Sequence, residues 1–428
     1  MTLLYRFYNC TLVRDHALIQ DDLWIRNGKI INPEKIFFSE KTRADIEYDC
    51  QGALIAPGYI DLQINGAFGH DFSSADEASE EMLIKVAKLL TSHGVTAFVP
   101  TIVSSLPETY QEVLPIYKRR AGSAKDGATI LGIHIEGPFI AENKRGAHRT
   151  DFLRKSECGI EDLKTCYGSF ENVSIITLAP ELPNMVENVI PELVARHNLV
   201  VSLGHSTATL DCGERAILAG ARFITHLFNA MLPFHHRDPG LVGLLTTHPL
   251  PATTIVYYGL IVDTVHTHSA AVRLAHRVHP HGLVLVTDAV PALGFPDGTY
   301  HMGAHEIVVN GKRATIAGTE TLCGSIASLA ECVQYMRQAL LDGETNKEII
   351  NEKDSTQFVV ESIEAATLHP AQVLHIENQK GTLSFGADAD FIFLDKNLNI
   401  LSTFIAGEQA WTVNNQWSID NLQTKSSQ

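Results

Sequence analysis

Eight short apolar segments along the middle of this 428-residue chain constrain its fold more than any other feature. Each has the length and β-branched composition of a buried strand. They cover residues 58–65, 95–103, 128–136, 173–181, 199–206, 221–229, 253–263 and 282–289, with amphipathic helical stretches between most of them. This alternation indicates a parallel α/β sheet, either a closed (β/α)8 barrel or an open doubly wound sheet. No GxGxxG motif follows the first strand, which removes one reason to prefer the open sheet. We therefore predict a TIM-type barrel.

The two ends of the chain have a different pattern. Residues 1–57 and 377–428 contain short β-like segments, and the first of these regions contains an Asn27-Gly28 hairpin turn. We expect both ends to form one small β-sandwich domain, and residues 58–376 to form the barrel domain. An insertion after the eighth strand, residues 295–320, contains a second hairpin around Asn310-Gly311.

Composition narrows the range of partners and locations. The formal net charge of −16 argues against nonspecific binding to nucleic acid or to an anionic membrane. The apolar runs are too short to span a bilayer, and the first residues lack a signal-peptide pattern. Seven scattered cysteines without a CxxC pair indicate reduced thiols. We therefore expect a cytoplasmic protein that has no nucleic-acid or membrane partner.

Polar side chains occur where the predicted strands end. They are Asp61, Gln63 and Asn65 on the first strand, His134 and Glu136 on the third, and His205, His226 and Asp288 on the fifth, sixth and eighth. Barrel enzymes build their active sites at the carboxyl ends of the strands. Burying so many polar groups would cost free energy unless they converged on a ligand. We therefore expect an active site at this end of the barrel.

Glu136, His205 and His226 form a set of two histidines and one carboxylate. Such a set suits zinc with an open position for water, and it also suits iron or other divalent ions. The chain has 20 histidines, so any one of them is more often a satisfied core or surface residue than a ligand. Their shared placement at strand ends favours a metal site.

Asp288 is a candidate general base, which would accept a proton from water and return it to a leaving group. A helix cap or a metal ligand is the alternative role. Further candidates lie on the loops, and each is weak alone: Asn229 beyond His226, His148, His266, and Arg237, which is either a solvated surface residue or an anion clamp.

The motifs together resemble those of the amidohydrolase superfamily. The resemblance extends along nearly the whole chain, through APGYIDLQING, GIHIEGPF, KRGAH, SLGHS, THLFNAM, RDPGLVG, DTVHTH, VTDA, LCGS and GADADFIFLD. The last of these marks only the superfamily. The combination of EGPF, GHS, THLFNAM and RDPG is similar to the family of its sugar-phosphate deacetylases in particular.

This resemblance implies a metal-dependent barrel with a small β-sandwich formed by both chain ends. The implied activity is hydrolysis of the N-acetyl group of N-acetylglucosamine 6-phosphate to glucosamine 6-phosphate and acetate, in amino-sugar catabolism. The implied metal ligands are Glu136, His205 and His226, and the implied catalytic residues are Asp288 and His148. The implied substrate contacts are Gln63, Ala147, His148, Asn229, Ala230, Arg237, Asp263, His266, Leu322, Cys323 and Gly324.

The resemblance also bears on the cofactor and the partners. In the family, the arginine at the Arg237 position reaches into the partner subunit's site, which implies a homodimer. Many superfamily members carry HxH at the end of the first strand, where this chain has Gln63 and Asn65. Amides are poor zinc ligands, and the bridging lysine of the fourth strand is also not evident in VSIITLAPE. We therefore expect one divalent ion per subunit, with zinc favoured.

Two other functions remain open. One is a cyclic-amide hydrolase of the dihydroorotase type, against which Gln63, Asn65 and the RDPG segment argue. The other is a non-catalytic scaffold that has kept the barrel. Loss of the ligands would indicate a scaffold, but all three ligands and Asp288 are present.

Overall fold

The computed structural model describes residues 3–247, 251, 254–303, 305–343 and 352–423. Its centre is a nearly closed barrel of eight parallel strands in sequential order. The strands are Tyr59–Ile64, Val95–Val103, Ile133–Glu136, Val173–Leu178, Val200–Leu203, Phe223–Ile224, Tyr257–Leu260 and Leu283–Leu285. Each pairs in parallel with the next, and a parallel bridge between Ile64 and Ala289 joins the last strand to the first. The predicted barrel is confirmed, and the open sheet is excluded.

Seven of the eight strands are shorter than the apolar segments that predicted them, and only Val95–Val103 matches its segment. Segment 128–136 divides into Thr129–Ile130 and Ile133–Glu136 around Gly132, whose φ is +110°. That region of φ is open to glycine but not to the β-branched residues of the segment, so the backbone bends there.

Three later strands end before the predicted carboxyl ends of their segments, and the backbone conformation is again the reason. Segments 199–206, 221–229 and 282–289 end as strands at Leu203, Ile224 and Leu285. The residues His205, His226 and Asp288 that follow have φ values of +48°, +26° and +49°. Backbone in this sparsely populated region leaves the sheet, and it is typical of functional sites.

Helices cover the outside of the barrel. They are Glu80–Leu90, Pro107–Val113, Ile160–Tyr167, Ile190–His197, Leu210–Leu218, Ser269–Val278, Leu329–Leu341, Glu352–Glu364 and Leu368–Val373. The apolar faces of the first eight helices pack on the strands in one large cluster of buried residues, whereas Ala371 and Val373 of the last helix pack with the residues inside the barrel. A second cluster includes Ile60, Ile175 and Phe223, which come from the first, fourth and sixth strands and therefore meet inside the barrel. The interior is a packed core that supports the site above it.

Both chain ends contribute to two sheets beside the barrel. One has four strands, in the order Lys29–Ile30, Leu23–Arg26, Leu4–Tyr8 and Ile46–Asp49. The other has six, in the order Glu408–Thr412, Ile400–Ile405, Phe391–Leu394, Leu54–Pro57, Thr11–Arg14 and Ala17–Gln20. Phe7 of the first sheet packs with Phe391, Phe393 and Phe404 of the second. The six-stranded sheet combines strands from both ends, as the sequence predicted.

The insertion after the eighth barrel strand is a three-stranded antiparallel sheet, Gly298–Met302, His305–Asn310 and Arg313–Ile316. The predicted second hairpin joins its last two strands. The buried carboxylate of Asp71 accepts hydrogen bonds from the backbone N–H groups of Ser73 and Gly303, which fixes the inserted sheet to the barrel. No helix within the described ranges is long and apolar enough to cross a membrane.

Candidate active site

Three side chains meet at the carboxyl end of the barrel. Glu136 Oε1 lies 3.1 Å from His205 Nε2 and 3.0 Å from His226 Nε2, and the two Nε2 atoms are 3.1 Å apart. Tetrahedral zinc with bonds of about 2.0–2.1 Å separates its ligand atoms by about 3.3 Å. All three side chains are buried. The triangle therefore fits one face of the coordination shell of a single ion.

The proton on His205 supports this fit. His205 Nδ1 lies 2.7 Å from the carbonyl oxygen of Lys144, which can only accept a hydrogen bond. Nδ1 therefore carries the proton, and Nε2 presents a lone pair to Glu136. Two acceptors at this distance repel each other unless a cation or a proton lies between them. The donor set thus has the chemistry of a metal site.

Glu136 is held in the ionised form that binds metal. Burial raises the pKa of Glu136, but hydrogen bonding and positive charge on the side of the carboxylate that faces His205 and His226, the place of a shared proton or cation, outweigh burial and hold the pKa well below its usual range. Gln63 Nε2 also donates to both carboxylate oxygens at 3.0 Å. The carboxylate is therefore stabilised from two directions.

Asp288 is connected to Glu136 through the amide of Gln63, and it also accepts a hydrogen bond from the amide of Asn65, the residue after the first strand. Its Oδ1 accepts hydrogen bonds from Gln63 Nε2 at 3.2 Å and from Asn65 Nδ2 at 2.8 Å. Burial, followed by the charge of Glu136, raises the pKa of Asp288 to about 6. A carboxyl group that titrates this close to neutrality is suited to proton transfer.

Glu136, His205, His226 and Asp288 face a cavity of about 390 Å³. Thirteen of the residues that the sequence singled out line it: Asn65, Glu136, Ala147, His148, His205, His226, Asn229, Ala230, His266, Asp288, Leu322, Cys323 and Gly324. His148 packs edge-on against His205, with ring centroids 4.5 Å apart. Burial, followed by the charge of His205, lowers the pKa of His148 to about 3, so this imidazole is neutral.

Three other predicted substrate contacts are not among the described residues that line the cavity. Gln63 instead connects Glu136 with Asp288. Asp263 lies behind His266, and its Oδ2 accepts a hydrogen bond from His266 Nδ1 at 2.7 Å. Arg237 lies on an exposed loop, where its guanidinium is 3.2 Å from His236 Nε2. Within one chain, Gln63 and Asp263 act on the site through other residues.

The expectation that His134 converges on the site with Glu136 is wrong. His134 lies within the barrel, where its Nδ1 donates to the carbonyl of Leu62 at 3.1 Å and its Nε2 accepts from the hydroxyl of Thr177 at 2.7 Å. Burial lowers its pKa to about 4. A neutral histidine with both nitrogens satisfied serves packing here. The alternation of side chains along the strand predicted the face on which His134 lies, but not how deep in the barrel it lies.

Asp61, the first polar residue of strand one, stabilises the junction between the first and last strands. Its carboxylate accepts a hydrogen bond from the hydroxyl of Thr287 at 2.6 Å and weaker ones from the N–H groups of Gln63 and Thr287. Burial raises its pKa to about 7. Asp61 therefore helps to place Gln63 next to Asp288, the residue after Thr287.

The sequence analysis missed Glu181, which follows the fourth strand. Its carboxylate accepts hydrogen bonds from the hydroxyl of Ser206 at 2.7 Å, and from the N–H and hydroxyl of Thr207 at 2.5 and 3.0 Å. These residues directly follow His205. Glu181 therefore holds the loop that orients a metal-ligand candidate. Its position at a strand end was a signal that could have identified it.

A parallel barrel with a buried carboxylate and two histidines at its carboxyl end, next to an aspartate of near-neutral pKa, defines a metal-dependent hydrolase. The sequence profile of the Amidohydrolase family matches residues 54–411. N-acetylglucosamine-6-phosphate deacetylases of Danio rerio and Homo sapiens are each 51% identical, over 95% of this chain and over 96% and 95% of their own. The chain therefore belongs to the amidohydrolase family, and within it to the N-acetylglucosamine-6-phosphate deacetylases.

A solved structure agrees with this assignment. It is an aspartate-to-alanine variant of N-acetyl-D-glucosamine-6-phosphate deacetylase from Mycobacterium smegmatis, in complex with N-acetyl-D-glucosamine-6-phosphate. It superposes with a TM-score of 0.77 at 28% identity, over 96% of this chain and 100% of that one. The likeness covers the barrel and the end sheets together.

Proposed function

We propose that this protein hydrolyses N-acetylglucosamine 6-phosphate to glucosamine 6-phosphate and acetate, a step of amino-sugar catabolism. The observation that carries the proposal is the union of Glu136, His205, His226 and Asp288 in one cavity. The substrate is inferred from the 51% identity to the N-acetylglucosamine-6-phosphate deacetylases of Danio rerio and Homo sapiens, which extends over nearly the whole of both chains. The complex of the M. smegmatis relative with N-acetyl-D-glucosamine-6-phosphate supports the same substrate.

The proposed cofactor is one zinc ion per chain, held by Glu136, His205 and His226. An ion there supplies Lewis-acid polarisation of the amide carbonyl and a water that is nucleophilic near neutral pH. Gln63 and Asn65, at the positions of the HxH motif in other members, donate their amide hydrogens to Glu136 and Asp288. Amides are poor zinc ligands beside imidazole, which supports a one-ion centre.

Asp288 is the proposed acid–base residue. Its pKa of about 6 leaves it ionised at neutral pH, so it can accept a proton from the attacking water. It then returns that proton to the nitrogen as the C–N bond breaks, which gives acetate and the amino sugar. Neutral His148 donates a hydrogen bond to the carbonyl oxygen, and one such donor contributes about 3 kcal/mol to the transition state.

The remaining lining residues are proposed to hold the sugar phosphate. Asn229, Ala230, His266 and the 322–324 segment surround the part of the cavity beyond the metal site. Arg237 is proposed to bind the phosphate in the site of a second copy, because it is not among the described residues that line the cavity of its own chain. The proposed assembly is thus a homodimer. Light scattering that gave only monomer at concentrations where the enzyme is active would contradict it.

The experiment is acetate release by the purified, zinc-loaded protein. N-acetylglucosamine 6-phosphate should give acetate and primary amine in equal amounts, whereas N-acetylglucosamine and dihydroorotate should react far more slowly. Glu136→Gln should lose both zinc and activity. Absence of acetate from a zinc-loaded preparation would overturn the proposal. Faster hydrolysis of the cyclic amide would favour the dihydroorotase-type alternative.

Two further expectations are proposed with this function. All seven cysteines are free thiols, which supports a reducing, cytoplasmic location. A tagged protein found in secretory compartments would contradict this. The two end sheets share one core, which supports a domain of residues 1–57 and 377–428 beside a barrel domain of 58–376. Limited proteolysis that cut first within the barrel rather than at these boundaries would contradict that division.

A further inference from the structure

Ser104, the residue after the second barrel strand, meets His148 on one edge of its imidazole. The backbone nitrogen of Ser104 lies 3.2 Å from His148 Nδ1, and the hydroxyl oxygen of Ser104 lies 2.7 Å from the same atom. Ser104 is buried. Two groups of one residue therefore converge on a single ring nitrogen at the wall of the cavity.

This contact determines which nitrogen carries the proton. A backbone N–H can only donate, so it requires a lone pair on Nδ1. The hydroxyl then also donates to that lone pair. An imidazolium is excluded, since both of its nitrogens are donors, and the one proton of the neutral ring is placed on Nε2.

Gly137, of the EGPF motif, gives the Ser104 hydroxyl the space it occupies. A Cβ atom at position 137 would lie 2.3 Å from Ser104 Oγ, closer than carbon and oxygen can approach. The hydroxyls of Tyr110 and Tyr167 hold Gly137 in place by donating to its carbonyl at 3.3 and 3.1 Å. The motif thus accommodates the contact between Ser104 and His148.

The neighbouring His205 has the opposite arrangement. Its Nδ1 meets the carbonyl of Lys144, an acceptor, so its proton is on Nδ1 and its lone pair is on Nε2. The two rings are 4.5 Å apart at their centroids. One imidazole is therefore prepared to bind a cation, and the other to donate a hydrogen bond.

We propose that Ser104 is a positioning residue that holds His148 as the neutral Nε2–H tautomer, the form that donates to the acetamide oxygen of the substrate. The role of His148 as a donor to the substrate rests on the proposed function, whereas the assignment of its tautomer does not. The proposal goes beyond the activity because it assigns a residue that does not touch the reacting atoms.

The direct test is nitrogen NMR of the zinc-loaded enzyme with 15N-labelled histidine. The His148 signals are assigned by their loss in His148→Asn. The expected spectrum at neutral pH shows a protonated Nε2 and an unprotonated Nδ1. A protonated Nδ1 would overturn the proposal. This result is independent of turnover, so an enzyme that released no acetate would contradict the proposed function without changing the tautomer measurement.

The Ser104→Ala variant isolates the hydroxyl, because the backbone N–H remains. Its Nδ1 resonance should shift, and its kcat for N-acetylglucosamine 6-phosphate should fall about tenfold, with KM nearly unchanged. The matched control is Ser92→Ala, whose exposed hydroxyl donates to the carbonyl of Leu89 in the preceding helix. An unshifted Nδ1 resonance, or a kcat equal to that of the control, would overturn the role of the hydroxyl.

Discussion

At the scale of single residues, two carboxyl groups share one cavity and acquire opposite properties. Two histidines hold the pKa of Glu136 well below its usual range against burial, whereas burial and the charge of Glu136 raise the pKa of Asp288 to about 6. Surroundings that separate two carboxyl pKa values in this way assign different roles to the two groups. Glu136 is suited to bind the ion, and Asp288 to transfer protons.

Replacement of Asp288 by Asn should remove acid–base catalysis and preserve binding. The amide has nearly the volume of the carboxyl group but cannot accept and return a proton, so kcat should fall by about 10²- to 10⁴-fold. Zinc content and the calorimetric affinity for substrate should remain near wild type. The control is Asp126→Asn, at a surface ion pair with Arg120. A kcat near wild type for Asp288→Asn would refute the assignment.

The pH dependence of kcat/KM should show the same group. Asp288 must be ionised to accept a proton, so kcat/KM should fall as pH decreases through about 6, the pKa of the buried carboxyl. The profile is obtained by measuring acetate release at a series of pH values above and below 6. An acid limb near the ordinary aspartate value of about 3.9 would mean that Asp288 is not the base, or that its pKa is not raised.

Arg237→Ala tests phosphate recognition. Hydrogen bonds to charged groups contribute about 1.5–3 kcal/mol, so KM for N-acetylglucosamine 6-phosphate should rise about 10- to 100-fold. Unphosphorylated N-acetylglucosamine should react as before. Arg196→Ala, which removes an exposed arginine paired with Glu192, is the control. An equal loss with both sugars would remove the phosphate role.

At the scale of secondary-structure elements, the loops after the strands connect neighbouring barrel units. Glu181 follows the fourth strand but acts on the loop after the fifth, through Ser206 and Thr207. This loop begins with His205, whose φ of +48° is uncommon for a residue other than glycine. The segment after the fourth strand therefore contributes to the proposed metal site by orienting a proposed ligand that follows the next strand.

Glu181→Gln should weaken zinc binding, because a neutral amide holds the loop less firmly than the carboxylate. The dissociation constant for zinc, measured by competition with a fluorescent chelator, should rise about tenfold or more. The melting temperature of the metal-free protein should hardly change. Glu187→Gln, at an exposed pair with Arg215, is the control. If both variants bound zinc equally well, Glu181 would not position His205.

Much of this arrangement could be predicted from the sequence, and the misses have physical causes. Eight apolar segments predicted the barrel, and polar residues at strand ends, together with the family resemblance, predicted the group of Glu136, His205, His226 and Asp288. Strand ends were placed too late, because the apolar pattern continues where the backbone turns to positive φ. Ser104 and Glu181 were missed because their partners, on other loops, come close only in the folded barrel.

At the scale of the whole molecule, the barrel brings together residues that are far apart in the chain. The first and last strands meet through the Ile64–Ala289 bridge and the hydrogen bonds between Asp61 and Thr287. This junction places Gln63 and Asn65 next to Asp288. Closure of the barrel and assembly of the catalytic group are therefore one structural event.

The central claim is that one ion at Glu136, His205 and His226 is sufficient for hydrolysis of the acetamide. The most direct measurement is the rate of acetate release from N-acetylglucosamine 6-phosphate while metal-free protein is titrated with zinc. We expect no activity without metal and a linear rise that ends at one zinc per chain. Full activity in the metal-free protein, or a rise that continues to a second equivalent, would contradict the claim.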